Sequence, residues 1–181
     1  PHIILIRDEK RWDYPITEMN IGGKKIYKSV IHLQENDIFI ALKGANVDGH
    51  SFIPSAVSKG AKLIISEREV EGYDCLVVED GYRTMGTLAY YFYGEPSKDM
   101  EVIGVTGTNG KTTSTTLLYK ALNEMGKKTG LIGTNGLYYP EGFIPLNNTT
   151  PDGLLLMRYF KQFKDLGIQT VVMEVSSHAL V

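Results

Sequence analysis

The stretch "VIGVTGTNGKTTSTTLL", residues 102–118, sets an apolar run against a glycine-rich turn that ends in Lys-Thr-Thr. Residues of these types at this spacing suit phosphate. Backbone N–H groups reach phosphate oxygens only where no Cβ stands in the way, which accounts for Gly107 and Gly110. A helix beginning near Lys111 adds unpaired N–H groups and a partial positive charge. Lys111 supplies a mobile cation for the β- and γ-phosphates of a nucleotide, and the Thr112 hydroxyl suits Mg²⁺. The pattern is the short Gly-x-x-Gly-Lys-Thr at 107–112, because the longer phosphate-loop motif needs a glycine where Val105 stands. That departure argues against a generic phosphate-loop kinase. A plain strand–turn–helix corner is the alternative to the phosphate reading. The buried strand expected before the loop and the amphipathic helix expected after it favour phosphate.

A second charged group belongs with this loop. Glu174 stands inside the otherwise apolar "VVMEVSS", where an unpaired carboxylate is costly. Ligands of open parallel sheets gather at the carboxyl ends of the strands, and the loop and Glu174–Ser176 both fall there. Glu174 is therefore expected to hold Mg²⁺ with Thr112, the alternative being a Lys or Arg partner at the sheet end. Cys75, the single cysteine, lies in "CLVVE" and reads as a buried core thiol. Tyr90, Tyr91 and Tyr93 read as helix packing rather than as a base-stacking platform.

These residues need a scaffold, and the pattern supplies an α/β one. In the first half, "NDIFIALKG" (36–44), "AKLIISE" and "CLVVE" read as short strands. "SFIPSAVSKG" (51–60) reads as a helix capped by Ser51, and 80–96 as a helix with Met85, Leu88, Ala89 and Phe92 at helical spacing. "GEPSKDM" (94–100) marks a domain boundary, giving domains 1–97 and 98–181. Beyond it come a strand (101–106), the glycine loop and a helix (111–125) whose Leu117, Leu118, Ala121, Leu122 and Met125 are expected to face a core. "KTGLIGT" is a further strand, and "GLYYPEGFIPL" a hairpin turning at Pro140, Glu141 and Gly142. A helix over 151–167, begun by Pro151 and stopped by Gly167, precedes a last strand over 169–177. The sheet is expected to be mainly parallel. With only about three parallel strands it leaves edges and apolar surface exposed. Residues 1 to about 95 are therefore expected to fold alone, and 100–181 to be part of a larger domain.

Composition bounds the function classes. A chain of 181 residues that is 43% apolar buries a real core. A formal charge of −2 gives no polycation signature, so nucleic acid is not the expected partner. No apolar run approaches the roughly 20 residues of a membrane span, and a cytoplasmic location is expected.

Taken together, "GVTGTNGKTT", "NNTTPD" and "MEVSSHAL" resemble the Mur ligases, in the branch that adds the third amino acid of the peptidoglycan stem. "NDIFIALKGANVDGHSFIPSAVSKGAKLIIS" looks like that family's uridine-nucleotide-binding N-terminal domain, so the resemblance covers nearly the whole chain. It implies ATP-dependent amide formation: the γ-phosphate passes to a carboxylate of UDP-N-acetylmuramoyl-dipeptide, and an amino group attacks the acyl phosphate. It implies that Gly107, Thr108, Asn109, Gly110, Lys111, Thr112 and Thr113 bind ATP, and that Thr112 and Glu174 hold Mg²⁺. Asn148, Thr149, Thr150 and Ser176 would contact the muramoyl-peptide arm, and Ala45, Asn46 and Val47 the uridine nucleotide. Catalytic roles fall to Lys111, Glu174 and His178; His178 would orient phosphate or water, or else cap the strand end. The amino acid would be L-lysine or meso-diaminopimelate, and the full-length protein a monomer.

Two departures stand out. The family's Asp-Ser-Arg before the "IFIAL" strand is replaced here by Ser29, Val30 and Ile31 in "KSVIHLQEND", which weakens the case for uridine-nucleotide recognition. Family members are also longer, with a third domain that selects the amino acid, so this chain is expected to be a fragment that is not competent alone. A non-catalytic nucleotide- or UDP-sugar-binding module and a paralogue with another acceptor are the alternatives. A folylpolyglutamate synthase cousin is disfavoured by "TTPD" and "EVSSHAL".

Overall fold

The computed structural model describes residues 3–4, 19–21, 24–26, 33, 37–44, 47–146 and 151–176. The chain divides into two compact units, Pro1–Met85 and Gly86–Val181.

In the first unit β1 (Ile3–Ile4) precedes an antiparallel pair, β2 (Met19–Ile21) and β3 (Lys24–Ile26). Then follow β4 (Ile38–Ile40), α1 (Ile53–Ser58), β5 (Leu63–Ser66) and β6 (Leu76–Val77). The four-stranded sheet has the order β1-β4-β5-β6, and all its pairings are parallel. Its central strands are near-continuous apolar runs, as parallel strands covered on both faces require. Leu33, Phe39, Ala41, Ile53, Ala56 and Ile64 form the core. Leu76 and Val77 of β6, at the sheet edge, are about half exposed. Cys75 is half-buried at the margin of this core, not enclosed as expected, because the edge strand beside it covers it only partly.

Ser51 does not cap α1. Asp48 caps a 3-10 turn, Gly49–Phe52, that leads into the helix, and the Ser51 hydroxyl donates to the Asp48 carbonyl at 2.7 Å. A carboxylate three residues upstream thus takes the cap that the hydroxyl was expected to take. The next helix, α2 (Gly81–Phe92), starts where the Asp80 carboxylate accepts from Arg83 N–H at 2.8 Å. Met85 and Ala89 are its buried apolar side chains. Of the tyrosines beside them, Tyr91 is exposed while Tyr90 and Tyr93 are half-buried.

The second unit continues with β7 (Glu101–Val105), α3 (Lys111–Glu124), β8 (Thr129–Gly133), β9 (Gly136–Tyr139), β10 (Gly142–Ile144), α4 (Gly153–Asp165) and β11 (Thr170–Glu174). Its sheet runs β10-β9-β8-β11-β7, with β8, β11 and β7 parallel and the hairpin antiparallel. The hairpin turns between Tyr139 and Gly142 as the sequence predicts. α4 starts two residues later than the expected Pro151, with Asp152 as its cap, whose side chain accepts from Leu155 N–H at 3.0 Å. Side chains alternate across a strand, so Ile132, Val171 and Met173 share one face. They pack with Tyr159, Phe160 and Phe163 of α4 into a core. Phe163 lies on Gly130, where a Cβ would stand 2.7 Å from the ring. Leu131, Gly133, Val172 and Glu174 take the other face, toward α3, which packs on β8 and β11.

Two expectations for this unit fail. β7 is a half-exposed edge among the described strands, not a buried one, with Val102 at 41% exposure. On α3, Leu117 (63%), Leu118 (38%) and Met125 (76%) are exposed rather than in a core. The rotation of α3 is set by its start. Thr112 turns toward Glu174, and positions one and two turns on follow it inward, so Thr115 becomes the fully buried residue of the helix. The Thr115 hydroxyl is satisfied by the Lys111 and Thr112 carbonyls at 3.0 and 3.1 Å, which makes its burial affordable.

Candidate functional site

The loop between β7 and α3 is built on two glycines. Gly107 has φ 143° and Gly110 has φ 82°, the latter as the N-cap of α3. Both values lie in the left-handed region that L side chains rarely adopt. Backbone conformation thus makes its own demand for glycine here. The first-turn N–H groups of α3 have no intrahelical partner, and Gly110 offers them no capping side chain. Lys111 folds back over it, its Nζ donating to the carbonyls of Gly107 at 2.6 Å and Thr108 at 3.4 Å. Thr108, Asn109 and Thr113 are exposed.

Glu174 ends β11 level with Val105, the last residue of β7 before the loop. Parallel register therefore carries the carboxylate to the loop, and the side-chain alternation turns it toward α3. It is 2% exposed. The Thr112 hydroxyl donates to Oε2 at 3.0 Å, joining the two residues expected to share a metal. Thr134, just past β8, also donates to it: its N–H to Oε1 at 2.9 Å and its hydroxyl to Oε2 at 3.0 Å. The donors around this buried acid thus include two hydroxyls and a backbone amide. A cleft of about 190 Å³ opens beside Thr112 and Glu174, walled by Tyr119 and Lys120 of α3 and by Tyr138 of β9.

A buried carboxylate and a threonine hydroxyl at the mouth of a phosphate-type loop are hard oxygen donors of the kind Mg²⁺ takes. Phosphate oxygens and water are the other ligands such an ion commonly takes. The residues present fit it.

In the first unit, Val47 is half-buried and its carbonyl accepts from Gly44 N–H at 2.9 Å. The sequence reading missed its neighbour. Asp48 accepts from His50 N–H at 3.0 Å, His50 Nδ1 at 2.6 Å and Arg68 at 2.9 Å. Foremost the His50 N–H, then the side chains of His50 and Arg68, hold the Asp48 carboxyl at about 2 against an opposing effect of burial. The other missed residues are Gly133 and Thr134. The signal for them was present, since "LIGT" ends an apolar strand at the same sheet edge as the loop. Ser176 is half-buried just beyond Glu174. Ala45, Asn46, Asn148, Thr149, Thr150 and His178 lie outside the described residues.

Two family models match this chain: "Mur ligase family, catalytic domain" over residues 15–87 and "Mur ligase middle domain" over 105–181. The chain belongs to the Mur ligase family. A similar curated protein is the UDP-N-acetylmuramoyl-L-alanyl-D-glutamate–2,6-diaminopimelate ligase of Halalkalibacterium halodurans, 48% identical across 91% of this Mur ligase chain and 34% of its own length. A solved structure of a ligase of the same name superposes with TM-score 0.71 at 28% identity, over 83% of this chain and 31% of that one. The MurF ligase from Thermotoga maritima in complex with ADP gives TM-score 0.52 at 29% identity, over 82% of this chain and 31% of that one. The chain thus spans about a third of the length of the curated relative and solved structures it matches. Among the described residues no helix is long and apolar enough to cross a membrane.

Proposed function

We propose that this chain is the part of a cytoplasmic, ATP-dependent Mur ligase that holds the uridine-nucleotide precursor and ATP. The full-length enzyme joins an amino acid to UDP-N-acetylmuramoyl-L-alanyl-D-glutamate. The amino acid is 2,6-diaminopimelate, the one named for the relative, with L-lysine as the alternative. The observation that carries this reading is the buried Glu174 carboxylate hydrogen-bonded to Thr112 at the mouth of a glycine loop that closes on Lys111. The domain division proposed with it, 1–97 and 98–181, is supported by the two family models, which leave residues 88–104 between them.

The residues would work as follows. The loop N–H groups and the α3 N-terminus bind the nucleotide phosphates, and Lys111 leaves the loop carbonyls to neutralise charge on the transferring phosphoryl group. Thr112 and Glu174 would hold Mg²⁺, which supplies charge neutralisation for the phosphates when bound. A precursor carboxylate oxygen attacks the γ-phosphorus and ADP leaves. The amine of the incoming amino acid then attacks the acyl carbon, inorganic phosphate departs, and the ammonium proton passes to a base. Ala45, Asn46 and Val47 are the uridine-nucleotide contacts under this reading, Asn148, Thr149, Thr150 and Ser176 the muramoyl-peptide contacts, and His178 an orienting group for phosphate.

The test is ADP release by the full-length protein with ATP, Mg²⁺, UDP-N-acetylmuramoyl-L-alanyl-D-glutamate and each amino acid in turn. Precursor-dependent ADP release together with a tripeptide product supports the reading. ATP hydrolysis indifferent to the precursor would sink it.

A further inference from the structure

Thr134 donates to both oxygens of Glu174. We infer that Thr134, seated by Gly133, is a positioning residue that fixes the Glu174 carboxylate for Mg²⁺-nucleotide binding, an inference resting on the proposed nucleotide site. A glutamate side chain has several rotamers and a soft terminal torsion, so burial alone does not set the rotation of its carboxylate. Thr134 does set it: the amide holds Oε1 at 2.9 Å and the hydroxyl holds Oε2 at 3.0 Å, two donors on one rigid residue. Gly133 makes this approach feasible, since a Cβ there would stand 2.4 Å from Oε1.

The consequence reaches Thr112. Its hydroxyl gives its proton to the same Oε2 at 3.0 Å, which leaves the lone pairs of Oγ1 for a cation. The order of control is then β8, Thr134, Glu174, Thr112. Groups that orient metal-site ligands in this way matter nearly as much as the ligands.

The experiment uses the full-length protein. ADP affinity is measured by calorimetry across a Mg²⁺ titration and again with the metal chelated, for wild type, Thr134→Val and Thr134→Ser. Valine keeps the shape and the backbone N–H but loses the hydroxyl, while serine keeps both donors. The Mg²⁺ concentration at half-effect is expected to rise about tenfold or more in Thr134→Val and to return within about threefold of wild type in Thr134→Ser. ADP affinity without metal is expected to stay unchanged in both. Should Thr134→Val prove unfolded by circular dichroism, Thr134→Ala carries the same comparison. A Mg²⁺ midpoint within about twofold of wild type, or equal loss of affinity with and without metal, overturns the positioning role. Wild-type ADP binding that ignores Mg²⁺ overturns the site reading itself, and the inference with it.

Discussion

The Lys111 ammonium lies within hydrogen-bond distance of its own loop carbonyls, so its charge is held beside the loop proposed to bind phosphate. Under the proposed function, replacing it removes a cation where charge concentrates during phosphoryl transfer. Lys111→Ala is expected to lower ADP release by about 10²–10³ while thermal stability stays near wild type. A decrease of less than tenfold would place the main charge stabilisation elsewhere. Asp48 makes a different kind of statement, because its carboxyl is held at about 2, below the ordinary 3.8. A depressed carboxylate stabilises the fold above its unfolded pKa, and that contribution fades as pH falls from about 4 through about 2. The full shift would correspond to roughly 2.5 kcal/mol, but the side chain is 37% exposed, and screening reduces it to about 1 kcal/mol. Urea unfolding should show Asp48→Asn less stable by about that amount at pH 7, with the gap to wild type closing toward pH 2. A gap independent of pH would mean that shape, not charge, matters at this turn.

At the scale of elements, α2 and α4 meet through two glycines that are not equivalent. A Cβ on Gly153 would stand 3.1 Å from the Gly86 Cα, a backbone atom that cannot step aside, whereas one on Gly86 meets the Gly153 Cα at 4.0 Å. Gly86→Ala is therefore expected to stabilise the chain by about 0.5–1 kcal/mol through helix propensity. Gly153→Ala should destabilise it by about 1–3 kcal/mol, as overpacking does. Chemical denaturation of the two variants checks the sign of each. Equal effects would remove the claim that the helices touch there. The elements themselves were largely legible, because parallel strands announce themselves as apolar runs and Gly167 and the Tyr139–Gly142 turn punctuate them. The rotation of α3 was not. Leu117, Leu118 and Met125 look like a core stripe in one dimension, but the hydrogen bond from Thr112 to Glu174 fixes which face turns inward. Caps failed for a related reason. Ser51 is a reasonable cap signal and Pro151 a reasonable first residue, yet Asp48 and Asp152 have carboxylates that reach the first free N–H groups.

For the molecule as a whole, the candidate site was half legible. The glycine loop and Glu174 were found because each is unusual for its setting. Thr134 was not, since a Gly-Thr after an apolar strand looks like an ordinary loop start until register places it beside Glu174. That placement bears on how ligands act on the two units. The loop, Thr134 and Glu174 all belong to the second unit, and Asp48 with the segment proposed for uridine to the first. Each ligand should therefore leave its own signature in hydrogen exchange. ADP with Mg²⁺ is expected to slow the amides of 105–113, 129–134 and 170–176, leaving 38–66 at their ligand-free rates. UDP-N-acetylmuramoyl-L-alanyl-D-glutamate is expected to slow 38–50 first. A ligand at a hundredfold its dissociation constant stabilises what it binds by about 2.7 kcal/mol, which is ample to read as slowed exchange. Protection of 38–66 by ADP alone would show that the nucleotide site draws on the first unit, and its ligands would then have to be sought there as well.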